Sequence, residues 1–174
     1  MPAGSQRYVA FLRGVSPMNC KMPELKRAFE LAGFGDVKTL LSSGNVVFGA
    51  RPTTEEALAK KAEAAMKKHL GNAFFAFIRS VDSLRELLES DPYASFNAKP
   101  GAKRVVTFLQ ERPKAKLKLP LELDGARILC VKDREVFSDY VVNDKGPVFM
   151  TLLQKTFGKD ITTRTWQTIE KASK

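Results

Sequence analysis

A chain of 174 residues with 44% apolar side chains is long enough to bury a core in one ordinary domain or two small ones, which argues against disorder. Its 29 Lys and Arg against 19 Asp and Glu leave a net charge of +10, a balance that favours polyanionic partners. A single histidine, two widely spaced cysteines and no long apolar run exclude a His-rich metal centre, a zinc knuckle and a membrane span, argue against a disulfide framework, and predict a cytoplasmic protein with no cofactor.

The run RYVAFLR (7–13) predicts a strand, and PELKRAFELAG (23–33) a helix that opens with Pro23 and closes with Gly33. DVKTLL (36–41) and NVVFG (45–49) are β-rich runs separated by SSG, the composition of a hairpin turn. In 53–71, Thr53 or Thr54 caps a helix, Glu55 and Glu56 suit its positive end, and Leu58, Ala62, Ala65, Met66 and His69 share one face. Gly71 ends it and FFAFI (74–78) supplies the next strand. The order βαββαβ predicts a ferredoxin-like unit over residues 1–79.

Residues 80–174 predict a second, less regular α/β unit on the same plan, so the expected class is α+β, two ferredoxin-like units in tandem. VDSLRELLES (81–90) reads as a connecting helix and KRVVTFL (103–109) as a strand. RILCVKD with REVFSDYV reads as a hairpin, VFMTLLQKTFG (148–158) as a helix, and TTRTWQTIEKASK (162–174) as a helix capped by Thr162 or Thr163. KAKLKL (114–119) fits an extended segment or one helical turn equally well. Between 99 and 118, seven basic residues face Glu111 alone, a local excess of +6 that is either a solvated face or a phosphate-facing surface.

Three polar signatures stand out: LRGV with NCKM, LLSSGNVVF, and TTRTWQT. In a βαββαβ unit the first two strands run parallel, so the loop after the first and the turn after the second meet at one sheet end. Arg13, Gly14, Ser16, Asn19 and Lys21 then border Ser42, Ser43, Gly44 and Asn45, with Gly71 and Asn72 arriving from the helix. Such donors suit an anion. Turn geometry alone also explains Gly44 and Asn45, and Arg13 either forks to an anion or clamps loop carbonyls.

At the other end, Arg164 sits where a helix N-terminus would attract an anion, and Trp166 is either a core anchor or a stacking platform. Cys20 lies beside Lys21, a cation that favours a thiolate, whereas Cys130 in RILCV reads as a buried strand residue. No residues form a recognisable catalytic constellation; Asp36 and Asp139 are unremarkable candidate bases, and enzyme status stays open.

FLRGV, KMPELK, GFGDVKTLLSSGNVVF, DPY and TTRTWQT resemble, in the same order, a bacterial family catalogued as domain of unknown function 1697. Family members usually read LRGIN, then Gly-Gly-Lys-Asn before the Met, and end in TRNWNT. Here Ser16 replaces the first Asn, the loop before Met22 is shorter, and Thr165 and Gln167 flank Trp166 in place of two asparagines. The resemblance implies a tandem α/β fold and no particular reaction.

The candidate ligand-binding residues are Arg13, Gly14, Asn19, Lys21, Ser43, Asn45, Arg164 and Trp166. The leading expectation is a nucleic acid or nucleotide-phosphate partner. The alternatives are an enzyme that clamps a small anionic substrate with Arg13 and Arg164, and an interaction or structural protein whose polar motifs lock the two halves.

Overall fold

Alternation builds the first strand: in β1 (Gln6–Leu12) Tyr8, Ala10 and Leu12 belong to one core face while Val9 and Phe11 leave the strand on the other side. The computed structural model describes residues 4–72 and 74–174, which form two compact units. One runs through Glu86 and also takes in Lys171–Lys174; the other is Leu87–Glu170. Each carries its own antiparallel sheet with helices, so the chain is an α+β protein with two units in tandem.

In the first unit, α1 (Met22–Leu31) starts at a proline and α2 (Glu55–Leu70) is capped by Thr54, whose hydroxyl accepts from the Ala57 N–H at 3.1 Å. β2 (Gly35–Leu40), β3 (Asn45–Ala50) and β4 (Ala76–Ser80) complete a sheet of order β2-β3-β1-β4. Leu25 and Phe29 of α1 and Leu58, Ala62 and Met66 of α2 pack on Tyr8, Ala10, Val46, Phe48 and Ile78. Phe34 and Phe48 meet with ring centroids 4.4 Å apart. Burying a ring of this kind stabilises the fold by about 1.5–3 kcal/mol.

Two expectations shift here. His69 is exposed rather than part of the buried stripe, because it sits in the last turn of α2, where a hydrated side chain compatible with the helix dipole is stable. The strand expected from Phe74 begins only at Ala76, so Phe74 and Phe75 lie just before it.

α3 (Val81–Ser90) begins in the first unit and ends in the second, where the chain leads through Tyr93 to β5 (Lys103–Phe108). β6 (Leu121–Leu123), β7 (Ala126–Lys132) and β8 (Glu135–Tyr140) form a meander, and α4 (Val148–Phe157) returns the chain to β9 (Thr162–Thr165) and α5 (Trp166–Ala172). The sheet order is β6-β7-β8-β5-β9. Residues 109–120 form neither helix nor strand; Lys114, Lys116 and Lys118 are exposed while Leu117 and Leu119 are half-buried, the alternation of an extended segment.

The helix expected over 162–174 is corrected. Thr162–Thr165 pair instead with β5, and the Thr163 and Thr107 hydroxyls bond at 2.9 Å across the ladder. β-branched threonines fit a pleated surface, and the ladder satisfies amides that a helix start would leave open.

Candidate functional site

β1 and β2 both run antiparallel to β3, and β4 runs antiparallel to β1. The exits of β1 and β2 and the start of β4 therefore meet at one end of the sheet. Leu12 N–H donates to the Gly44 carbonyl at 2.8 Å, and Arg13 N–H donates to the Phe75 carbonyl at 2.9 Å. Gly44 has φ +85°, and a Cβ there would lie 2.8 Å from Cβ of Val15. Glycine is thus required both by backbone conformation and by close approach.

Arg13, Gly14, Asn19, Asn72, Phe74 and Phe75 line an open depression of about 310 Å³ at this end. Arg13 is half-buried and Gly14 exposed. Asn19 holds the loop: its Oδ1 accepts from Ser16 N–H at 2.9 Å and its Nδ2 donates to the Gly14 carbonyl at 2.8 Å. The lining does not include Lys21, Ser43 or Asn45. Lys21 is exposed at the N-cap position of α1. Asn45 is fully buried and its Nδ2 donates to the Leu40 carbonyl and to Ser43 Oγ, each at 3.0 Å, tying the hairpin shut.

Cys20 departs from its expected character. It is 7% exposed, and burial first and the Glu24 carboxylate second push its pKa above the ordinary thiol range. Lost hydration and the nearby carboxylate both disfavour the thiolate, against the expectation from Lys21. Cys130, on β7, is half-buried rather than buried, and desolvation raises its pKa too.

The third signature is explained by a repeated junction that the sequence reading missed. Phe11 pairs with Asn45 and Phe77 in the first sheet; Phe108 pairs with Glu135 and Thr162 in the second. Counting from these, Arg79 corresponds to Arg164, Ser80 to Thr165 and Ser83 to Thr168. Each arginine donates from Nη1 to the carbonyl before it, Arg79 to Ile78 at 2.8 Å and Arg164 to Thr163 at 2.9 Å. Each hydroxyl then caps the helix that follows: Ser83 N–H donates to Ser80 Oγ at 3.1 Å and Thr168 N–H to Thr165 Oγ1 at 3.3 Å. A strand that runs straight into a helix needs its first free amides satisfied, and the hydroxyl at the corner does so.

Arg164 is 8% exposed and also donates to Thr162 Oγ1 at 2.7 Å; burial pulls its pKa down to about 10. Arg79 is 3% exposed and faces Glu55 at 3.7 Å. Trp166 packs edge-on against Tyr93 and Phe137, with centroids 5.1 and 6.4 Å away, and Tyr93 donates its hydroxyl to the Val105 carbonyl. The expected anion-attracting amides at 162–165 are absent because those residues are in the ladder.

Asp139 is no surface acid. It lies opposite Arg127 across β7 and β8, is 4% exposed, and accepts both forks of that guanidinium, while Arg127 also donates to the Asn97 carbonyl at 2.9 Å. Asp36 is exposed, 3.9 Å from Arg7. Among the described residues, no group of three or more His, Cys, Asp or Glu could hold a metal ion, and no helix is long and apolar enough to cross a membrane.

The second unit has a depression of about 560 Å³ at the corresponding sheet end, where the Leu109 N–H donates to the Arg134 carbonyl at 2.9 Å. Its lining mixes charges: Arg112 and Lys114 with Glu111 and Asp160. Arg112 is itself paired with Asp133.

These features define a two-unit α+β protein with an open depression at one sheet end of its first unit. The chain belongs to the family described as Protein of unknown function (DUF1697), which it matches over residues 5–137. That span includes the Arg13 loop and the Ser43–Asn45 hairpin and stops short of TTRTWQT. The fold is also similar to the solved structure of the conserved bacterial protein SP0830 from Streptococcus pneumoniae, with a TM-score of 0.72, 21% identity and 97% of each chain covered. Comparison with curated proteins found no match.

Proposed function

We propose that this protein binds a phosphate-bearing polyanion, nucleic acid or nucleotide phosphate, at the loop end of its first unit. The observation that carries the reading is the position of Arg13, held by its backbone bond to Phe75 at the rim of a depression shared with Gly14, Asn19 and Asn72. An arginine offers five donors in a fixed fork suited to phosphate, and a glycine beside it lets a ligand approach the backbone. The net charge of +10 draws polyanions to the surface as a whole, and Lys21 is exposed at the end of the loop that begins at Arg13.

Both units read as ferredoxin-like. The order β2-β3-β1-β4 supports this for the first; β7-β8-β5-β9 repeats that order in the second, with an irregular segment and β6 in place of the first crossover helix.

The structural reading applies to part of the signature set. Asn45, Arg164 and Trp166 spend their polar or aromatic groups on hairpin, ladder and ring contacts, which favours clamps over ligand contacts at those positions. The enzyme reading weakens for Asp139, whose carboxylate is held by Arg127.

Fluorescence anisotropy of labelled single-stranded RNA and DNA across a salt series tests the proposal. Wild type is expected to bind and to weaken with salt, and a folded Arg13→Ala variant to bind less tightly with a salt slope smaller by about one. Absence of binding at low salt, or an unchanged affinity in Arg13→Ala, overturns it.

A further inference from the structure

We infer that the loop end of the first unit takes single-stranded nucleic acid by an unstacked base laid on Phe75 while Arg13 engages the adjoining phosphate. This rests on the polyanion reading and adds to it the form of the ligand.

Phe75, on the approach to β4, is 42% exposed, and Met18, at 94%, stands on the β1–α1 loop that carries Arg13. A single exposed apolar residue is ordinary; an exposed ring beside a guanidinium is the surface that a nucleotide, with one flat apolar face and one anionic group, complements. Phe75 lines the same depression as Arg13, and the two are joined across the end of the β1–β4 ladder by a 2.9 Å backbone bond.

The second unit serves as an internal control. By strand register Arg13 corresponds to Gln110 and Phe75 to Asp160, so the second unit has neither a cation nor a ring at those positions. A duplex hides its bases in the stack, so a ring used in this way selects single strands.

The test compares three labelled probes of equal length, a single-stranded oligonucleotide, its abasic counterpart and a duplex, against wild type, Phe75→Leu and Arg13→Gln, with thermal melting as a check on folding. Wild type is expected to prefer the intact single strand over the abasic one by about tenfold, the scale of one base stacked on a ring. Phe75→Leu should erase that preference and leave abasic binding unchanged; Arg13→Gln should weaken both and lower the salt dependence. Equal binding of intact and abasic strands by wild type, a preference that survives Phe75→Leu, or duplex binding as tight as single-strand binding overturns the stacking inference and leaves the polyanion reading standing if Arg13→Gln still weakens binding. No binding of any probe at low salt sinks both. The wild-type comparison needs no variant to fold.

Discussion

Arg79 and Arg164 hold the same place in their respective units, the penultimate residue of the strand that leads into a helix, each buried and each bonded through Nη1 to the preceding carbonyl. A guanidinium removed from water keeps its charge only if its donors are satisfied, so these bonds hold the corner while the following hydroxyl caps the helix. The polar residues at 162–168 thus take part in a junction used twice.

Arg79→Ala and Arg164→Ala should each destabilise the protein by about 1.5–3 kcal/mol, the scale of hydrogen bonds to a charged group. Urea denaturation measures this. Oligonucleotide affinity of the folded fraction should not change in Arg164→Ala; a loss of affinity without a loss of stability would contradict the junction role.

The Arg127–Asp139 pair should behave as a buried couple. Removing one partner, by Asp139→Asn or Arg127→Met, leaves the other charge uncompensated and should cost about 3–5 kcal/mol. The double variant Arg127→Met with Asp139→Leu should recover much of that loss, and additive losses in the thermodynamic cycle would show that the two side chains act separately.

Gly44→Ala should destabilise through two routes at once, a positive φ and a Cβ placed 2.8 Å from Val15. Overpacking of this kind costs roughly 1–3 kcal/mol before the backbone strain is added. Asn45→Ala should lose a comparable amount, about 1–3 kcal/mol, by stripping the Leu40 carbonyl of a buried donor. Thermal melts of the two variants check both values.

Cys20 supplies a pH signature. Its folded pKa is raised, chiefly by burial, above that of an unfolded thiol at about 8.5. The neutral thiol therefore contributes stability that is complete below that value and is lost as pH rises through the folded one. Cys20→Ala should flatten the fall in melting temperature on the alkaline side, and native Cys20 should react with a thiol reagent far more slowly than the unfolded chain. Rapid labelling near neutral pH would contradict the burial argument.

Much of the local structure was legible in the residues. Alternation in RYVAFLR, Thr54 ahead of Glu55 and Glu56, and Gly71 after Leu70 act within a few residues of themselves, so the first unit's helices and strands could be read from spacing, as could the convergence of the Arg13 loop with the Ser43–Asn45 turn. The boundary misread at Phe74 and the helix expected at Thr162 have one cause. Both segments take their state from a neighbouring strand distant in sequence, β1 in one case and β5 in the other.

Composition, charge, the α+β class and the polar signatures belong to the sequence alone, because side-chain periodicity and net charge need no partner to be counted. Which signatures face outward was decided by tertiary structure. Arg13 and Arg164 are alike as residues, yet one stands half-buried at the rim of an open depression and the other is enclosed with its donors turned to Thr162 and Thr163. Burial and hydrogen-bond partners arise from strand pairing across long stretches of chain, and only the folded sheet brings those stretches together.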